Sequence, residues 1–245
     1  MLLKDKVAIV TGGAGGIGMA IARKFITEGA RIVLADLNEQ KLATAVQSLT
    51  LTNNQSVIAA TCNVSVEAEV QAAVQTAIDH FGQLDIVVNN AGLMIFKPIE
   101  EQTEEDWIRI LKVDLLGAFF FIKHSFLNMK PGGAIINVAS IHAIETEPLV
   151  APYAAAKAAL VSLTRSAALE GKIKGIRVNA ILPGAIDTPM LWDNPNVKAG
   201  IEKIDPNDVG KPEDIASAIT FLASAEAAFV QGAMLTVDGG RLDRL

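Results

Sequence analysis

Short apolar runs alternate along the chain with longer segments in which apolar residues recur every three to four positions. The short runs predict strands covered on both faces, because they contain almost no polar position. The longer segments predict amphipathic helices. Strands are expected at residues 6–11, 31–35, 56–62, 84–88, 133–138, 175–182 and 234–237, and helices at 17–29, 40–49, 66–81, 103–128, 152–171 and 211–225. This alternation predicts an α/β fold, a doubly wound parallel sheet of about seven strands with helices on both faces.

The connections between these elements contain no Pro-, Gly- or Ser-rich linker, so residues 1–245 are expected to form a single domain. Residues 186–209 make the longest connection, and their pattern is irregular. Connections of this length are usually functional in compact domains, which predicts a mobile substrate flap. The apolar run 115–122 is too short to span a membrane and is expected to be a buried helix.

Composition and charge exclude several classes of protein. Hydrophobic residues make up 51% of the chain and charged ones 20%, which allows a large core and argues against disorder. A net charge of -6 argues against a nucleic-acid partner. Because Cys62 is the only cysteine and the N-terminus lacks a secretory pattern, a cytoplasmic location and no membrane partner are expected. The three histidines show no ligand spacing with Cys62, so no metal site is expected.

A glycine-rich turn lies between the first strand and the first helix. Five of the seven residues from Gly12 to Gly18 are glycine. Glycines there let the backbone turn tightly and approach a pyrophosphate, whose charge then lies against the N-terminus of the helix. A tight strand-to-helix connection would also use glycine. The combination of strand, glycine turn and amphipathic helix favours dinucleotide binding on a Rossmann-type sheet.

The second strand ends in Asp36, at the distance from the glycine turn where an acidic residue meets the adenosine ribose. A carboxylate there accepts hydrogen bonds from both ribose hydroxyls and repels a 2′-phosphate. The predicted cofactor is therefore NAD. The alternative is that Asp36 only caps the helix at 40–49.

The only tyrosine of the chain, Tyr153, is four residues before Lys157 on a predicted helix. Residues at this spacing share one helix face, so the ammonium is expected to lower the pKa of the phenol toward the working pH. Tyr153 is thus a candidate general acid/base. Alone, the pair would more often be a half-buried tyrosine beside a solvated lysine.

Two strand ends carry further polar residues. The fourth strand ends in Asn89-Asn90-Ala91-Gly92, which suits a ligand crevice and would also suit a plain turn. The fifth strand leads to Ser140. His142 follows two residues later and is a candidate substrate contact, as are Met190 and Trp192 in the long connection.

Taken together, these motifs resemble the short-chain dehydrogenase/reductase family along essentially the whole chain. The matching residues are Thr11-Gly12-x-x-x-Gly16-x-Gly18, Asn89-Asn90-Ala91-Gly92, Ser140 thirteen residues before Tyr153-x-x-x-Lys157, Pro183-Gly184, Thr188 and Asp238-Gly239-Gly240. The resemblance implies an oxidoreductase in which Tyr153 takes the alcohol proton, Ser140 holds the substrate oxygen and Lys157 binds the nicotinamide ribose.

The resemblance also implies a set of cofactor contacts. Thr188 would contact the nicotinamide carboxamide, and Ile186 would contact the cofactor through its backbone. The complete expected set is Thr11, Gly12, Gly15, Gly16, Ile17, Gly18, Asp36, Leu37, Asn63, Val64, Asn90, Ala91, Gly92, Tyr153, Lys157, Pro183, Gly184, Ile186 and Thr188.

The chain departs from the family pattern at two positions. The family usually has Asn where this chain has Asp114, and its backbone carbonyl there holds a water that relays protons from the lysine. An ionised Asp114 near Lys157 would offset the charge that lowers the pKa of Tyr153, so Asp114 is counted among the expected catalytic residues. The usual Asp near the adenine is Asn63, which predicts somewhat weaker binding at that site.

Three functions are compatible with the sequence. The first is an NAD-dependent dehydrogenase acting on a secondary alcohol such as a sugar, a polyol or a hydroxysteroid-like molecule. The second is an NADPH-dependent 3-oxoacyl-thioester reductase, against which Asp36 argues. The third is a catalytically silent NAD-binding regulatory protein. A homodimer or homotetramer is expected, because the family pairs its long helices, here 106–128 and 152–171.

Overall fold

The computed structural model describes residues 1–50 and 56–242 of the chain. Seven parallel strands form one sheet in the order β3-β2-β1-β4-β5-β6-β7. The strands are β1 Val7–Thr11, β2 Arg31–Asp36, β3 Val57–Thr61, β4 Ile86–Asn89, β5 Ala134–Val138, β6 Arg177–Pro183 and β7 Met234–Val237. The predicted seven-stranded, doubly wound parallel sheet is confirmed.

Helices cover both faces of this sheet. The longer ones are α1 Gly16–Thr27, α2 Glu39–Thr50, α3 Glu67–Phe81, α4 Glu104–Leu111, α5 Gly117–Asn128, α6 Ala151–Lys174 and α9 Pro212–Ala223. A π-helical turn, Lys112–Leu116, joins α4 to α5. Two helices of four residues, α7 Pro189–Trp192 and α8 Pro195–Lys198, lie in the long connection that the sequence predicted to be irregular.

Alternate residues of the central strands enter two separate cores. Ala8 and Val10 of β1 pack with Ile21 and Phe25 of α1 on one face. On the other face Ile9 joins residues of α3, α5 and α6. Every residue of β1 and β5 is buried, which explains the unbroken apolar runs in the sequence.

One prediction about burial is wrong in part. The run 115–122 is helical, but its apolar residues do not all face the core. Leu116 is 38% exposed and Phe119 40% exposed, whereas Phe121 is fully buried. The π-helical turn changes which side chains face inward, and hydrophobic periodicity alone did not reveal that turn.

The order of the strands reverses between β1 and β4, which are neighbours in the sheet. Connections from these two strands leave the sheet toward opposite faces and open a crevice at their carboxyl ends. The glycine turn after β1 and the Asn-rich turn after β4 meet at this crevice.

Candidate active site

The glycine turn forms an open cradle at the N-terminus of α1. Gly12 adopts a positive φ of 59°. A Cβ atom at Gly18 would lie 2.2 Å from the carbonyl oxygen of Gly12, so α1 packs against the turn only because Gly18 has no side chain. At Gly15 a Cβ atom would meet nothing within 4 Å. The space beside Gly15 and the N-terminus of α1 suit a phosphate group.

Hydrogen bonds clamp the two turns at the crevice together. The hydroxyl of Thr11 accepts bonds from the backbone N–H groups of Asn90 and Ala91, both at 2.9 Å. The side-chain amide of Asn90 donates to the carbonyl oxygens of Thr11 and Gly12 at 2.9 and 3.2 Å. Thr11 and Asn90 therefore fix the backbone of the glycine turn.

Asp36 lies at the end of β2 and faces the same crevice. Its Oδ2 accepts from the backbone N–H of Ala14 at 3.1 Å, and its Oδ1 accepts from that of Asn38 at 3.0 Å. The cap of α2 is Asn38, whose Oδ1 accepts from the N–H of Lys41. Asp36 therefore orders the glycine turn, and Asn38 rather than Asp36 performs the capping role considered as the alternative.

Ser140, Tyr153 and Lys157 come together at the carboxyl end of β5. All three side chains are buried, and the Lys157 Nζ lies 5.4 Å from the centre of the Tyr153 ring. The predicted helix positions both residues as expected, one turn apart on α6. The His142 ring packs edge-on to Tyr153, with 5.8 Å between the ring centres. Its backbone N–H donates to the Ser140 hydroxyl at 3.2 Å.

Lys157 is held between a carbonyl and a carboxylate. Its Nζ donates to the carbonyl oxygen of Val138 at 3.0 Å and lies 3.2 Å from Oδ1 of Asp114. The Oδ2 of Asp114 accepts from the backbone N–H of Leu93 at 3.1 Å. A Cβ atom at Gly92 would lie 2.7 Å from the Asp114 Oδ1, so glycine is required beside this ion pair.

The ion pair alters the electrostatics of Tyr153. Burial raises the pKa of Tyr153, the Lys157 charge lowers it, the Asp114 charge raises it, and a hydrogen bond from Ser140 lowers it. Lys157 thus lowers the pKa of Tyr153 as the Tyr–Lys spacing predicts, but burial and Asp114 outweigh it, so the expected net lowering is wrong for this structure. Burial opposes the charge of Lys157, yet Asp114 and Tyr153 raise the pKa of Lys157 overall and keep it protonated.

A continuous cavity of about 680 Å³ links the glycine turn to these side chains. It contains most of the residues predicted from the sequence: Gly12, Gly15, Gly16, Ile17, Asp36, Asn90, Ala91, Gly92, Ser140, His142, Tyr153, Lys157, Pro183, Gly184, Ile186, Thr188 and Met190. The structure thus brings the candidate cofactor and substrate residues into one space.

Other predicted residues lie outside the lining of this cavity: Thr11, Gly18, Leu37, Asn63, Val64, Asp114 and Trp192. Thr11, Gly18 and Asp114 support lining residues from behind. The Asn63 Oδ1 accepts from the backbone and hydroxyl of Ser65, and Leu37 is 67% exposed. The Trp192 Nε1 donates to Asp187 at 2.7 Å.

The sequence did not single out three polar residues of the cavity wall. Glu202 comes from the long connection, Arg241 follows Asp238-Gly239-Gly240, and Asn194 begins α8. Arg241 pairs with Glu202, and Asn194 donates to Glu147 at 2.8 Å. The position of Arg241 directly after the Asp-Gly-Gly motif is the one local signal that could have identified it.

The cavity fits a dinucleotide by the shape and chemistry of its own residues. A side chain at Gly12 would come within 3.0 Å of Ala91 and Asn90, so bare backbone faces the crevice there. Within residues 1–50 and 56–242, no group of three His, Cys, Asp or Glu side chains is arranged to hold a metal ion. No helix in those same ranges is long and apolar enough to cross a membrane.

Comparisons with known proteins agree with this geometry. A family model described as Enoyl-(Acyl carrier protein) reductase matches residues 12–241. The chain is 39% identical to 3beta-hydroxysteroid dehydrogenase 1 of Eggerthella lenta, over 97% of this chain and 94% of the relative. It is 40% identical to cis-4-hydroxycyclohexanecarboxylate dehydrogenase of Sinomonas cyclohexanicum, over 96% of each.

A solved structure of levodione reductase superimposes with a TM-score of 0.92 at 33% identity, and the match covers 99% of this chain and 100% of that one. The matches in sequence and structure both extend over nearly the whole chain, and the motifs around the cavity are distributed along the same length. The chain belongs to the short-chain dehydrogenase/reductase family of nicotinamide-dependent oxidoreductases.

Proposed function

We propose that this protein uses NAD to interconvert a secondary alcohol and its ketone, with Tyr153 as the general acid/base. One observation carries the proposal: Ser140, Tyr153 and Lys157 line the same cavity as the glycine turn and Asp36. A reactive hydroxyl group and a dinucleotide could therefore occupy one continuous space.

Each side chain has a role that follows from its position. Tyr153, as phenolate, accepts the proton of the substrate alcohol, and the Ser140 hydroxyl donates a hydrogen bond to the same oxygen. Lys157 remains protonated, favours the phenolate and binds the nicotinamide ribose. The nicotinamide, when bound, supplies the hydride acceptor.

The preference for NAD rests on Asp36. Its two oxygens each accept one backbone hydrogen bond, which leaves further lone pairs for the ribose hydroxyls. The negative charge opposes a 2′-phosphate at the same place. Lys41 also lines the cavity and would neutralise part of this charge, so the discrimination is expected to be moderate.

For the substrate we propose a secondary alcohol on a ring. The two relatives are named for a hydroxysteroid and a hydroxycyclohexanecarboxylate. Apolar side chains, including Met94, Met190 and Ile201, line the cavity and suit the carbon skeleton of such a molecule. Because Arg241 already contacts Glu202, which lies beside the Glu147 carboxylate, an uncharged ring alcohol is favoured over one that carries a carboxylate.

A panel of hydroxysteroids, hydroxycyclohexanes, polyols, sugars and 3-hydroxyacyl thioesters, each assayed with NAD and with NADP by the absorbance of the reduced cofactor, tests the proposal. We expect turnover of ring alcohols with NAD and a loss of at least about a thousandfold in the Tyr153→Phe variant. Turnover of the thioesters alone, with NADP, would instead support the reductase. NAD binding without turnover of any compound would support the regulatory protein.

We also propose that the protein is a homo-oligomer. Apolar side chains on α5 and α6 face outward, with Phe119 40% exposed, Leu169 73% and Ile173 90%. Burial of these side chains against a second copy would remove apolar surface from water. Light scattering at micromolar concentration is expected to give at least the mass of a dimer, and a stable monomer would contradict the proposal.

A further inference from the structure

Two carboxyl groups from different segments of the chain lie in the cavity wall. Glu147 lies on the loop that follows Ser140, and Glu202 lies on the long connection, residues 186–209, here called the flap. The side-chain amide of Asn194, also on the flap, donates to Oε1 of Glu147 at 2.8 Å and lies 3.4 Å from Oε2 of Glu202. The contact between the loop and the flap is therefore made by groups that titrate.

The arrangement favours one shared proton between the two carboxyl groups. The Oε2 of Glu147 is buried and lacks a hydrogen-bond donor when both groups are ionised. The Asn194 amide contacts both carboxyl groups and so makes them neighbours, and a proton on Glu202 can supply the missing donor. Two partly buried carboxylates side by side would otherwise repel each other.

The surroundings decide which group holds the proton. Burial, the hydrogen bond to Glu147 and the charge of Glu147 raise the pKa of Glu202 to about 7, although Arg241 opposes them. Burial acts in the same direction on Glu147, but hydrogen bonds from Glu202, Asn194 and Asn196 lower the pKa of Glu147 overall. Glu147 is thus the carboxylate and Glu202 the acid.

The charged and titratable groups that face the pair are few among the described residues. Arg241, on the C-terminal segment, contacts Glu202. His142, on the same loop as Glu147, has its pKa lowered by burial and stays neutral near pH 7. Because the lowered pKa of His142 keeps its ring neutral above pH 7, Glu202 dominates the response of this contact in that range.

We propose that Glu147 and Glu202 act as a proton-sharing pair that holds the flap against the loop that follows Ser140. This contact positions the substrate against Ser140 and Tyr153. The inference rests on the proposed function, because it assumes that the alcohol binds beside Tyr153. Both glutamates are positioning residues. Asn194 and Arg241 orient them, and the flap closes most firmly when Glu202 carries its proton.

The direction of the pH effect follows from linkage. In the closed flap Glu202 holds its proton up to about pH 7, whereas a solvated glutamate releases it near 4.5. Closure therefore takes up a proton and weakens as the pH rises through 7. Between pH 6 and pH 8 the closing equilibrium is expected to fall about tenfold, with a matching rise in the KM for the alcohol.

The KM of the wild-type protein and two variants should be measured across this range with a substrate from the panel above. In Glu202→Gln the amide donates permanently to Glu147, so the KM is expected to stay within about twofold from pH 6 to 8. In Glu147→Gln the charge that raises the pKa of Glu202 is absent, and the rise in KM is expected at lower pH. Asp193→Asn, which changes an exposed carboxylate of the flap, should keep the wild-type profile. Identical KM profiles in the wild type and both glutamine variants would overturn the proposal.

A second measurement requires no turnover and separates this inference from the proposed function. The chain has two tryptophans, and Trp192 lies on the flap. In a Trp107→Phe background with NAD present, the emission of Trp192 is expected to change with a midpoint near pH 7, and Glu202→Gln should abolish that change. The same transition in the Glu202→Gln protein would overturn the proposal of a proton-sharing pair. If the transition is found but no alcohol is oxidised, the proposed function fails and the pair stands.

Discussion

Two walls of the cavity are built by different physical means. One is the carboxyl edge of the sheet at β1 and β4, here called the edge, and the other is the flap. At the edge, backbone groups and fixed glycines set the geometry: Thr11 and Asn90 clamp two turns, and Gly18 allows α1 to approach Gly12. At the flap, a few polar side chains make the contact, chiefly Glu147 and Glu202. Substitutions at the edge should therefore have the same effect at every pH. Substitutions of Glu147 or Glu202 should change how substrate binding depends on pH.

The two walls also differ in how far they can rearrange. Buried backbone hydrogen bonds and close glycine contacts leave no room for rearrangement, because the surrounding strands are packed on both faces. The flap contains two helices of four residues each, and such short helices depend on their side-chain contacts for order. This difference fits the proposal that the edge holds the cofactor and the flap admits the substrate.

The largest effect is expected at Tyr153. Tyr153→Phe keeps the ring but removes the group that accepts the alcohol proton, so kcat is expected to fall at least about a thousandfold. Binding of NAD, measured by calorimetry, should change less than about twofold, since the phenyl ring still fills its place. Retention of more than about a tenth of the wild-type kcat would contradict the acid/base role.

A matched pair of substitutions in the glycine turn tests the rigidity of the edge. In Gly18→Ala the new methyl group would meet the Gly12 carbonyl at 2.2 Å, and the free energy of unfolding should fall by about 3 kcal/mol. Gly15→Ala adds its methyl group to open space and should leave the unfolding midpoint of the free protein within about 1 °C while weakening NAD binding. Equal losses of stability in the two variants would show that the turn does not discriminate between these sites.

Asp36 tests the preference for NAD. Asp36→Ser removes a carboxylate, and the ratio of kcat/KM for NAD to that for NADP is expected to fall at least about tenfold. Glu39→Gln is the control, because Glu39 is a nearby exposed carboxylate at the start of α2. Cofactor titrations of the three proteins at one ionic strength measure the ratio. An unchanged ratio in Asp36→Ser would remove the basis for naming NAD.

The smallest effect is expected at Asp114. The Asp114 charge raises the pKa of Tyr153, so Asp114→Asn should lower that pKa. Alcohol oxidation requires the phenolate and is lost as the pH falls through this pKa, so the loss should begin at lower pH in the variant. The profile of kcat/KM against pH measures the shift, with Glu105→Gln on α4 as the control. Superimposable profiles of wild type and Asp114→Asn would exclude the effect.

The parts of the molecule that were predictable from sequence are those with a local signal. The apolar runs predicted the strands because a buried parallel strand has no polar face. The glycine turn and the Tyr153–Lys157 spacing each lie within a few residues, and both were found in the predicted elements. The family motifs then identified Ser140, which is separated from Tyr153 by a whole loop.

The parts that were not predictable depend on distant segments. The raised pKa of Tyr153 follows from complete burial and from Asp114, neither of which the spacing to Lys157 could indicate. The π-helical turn resembles ordinary helix in its hydrophobic pattern. The carboxyl pair joins residues 147 and 202, and its cation comes from residue 241, so no local pattern announces it.

The short segment from Asn89 to Leu93 contacts both the glycine turn and the residues around Lys157. On one side Asn90 holds the carbonyls of the glycine turn, and on the other the backbone of Leu93 binds the carboxylate that pairs with Lys157. Heat that loosens this turn would disturb the cofactor cradle and the proton-transfer residues at once. Thermal inactivation should therefore show a single step, in which NAD affinity and catalytic rate decline at the same temperature.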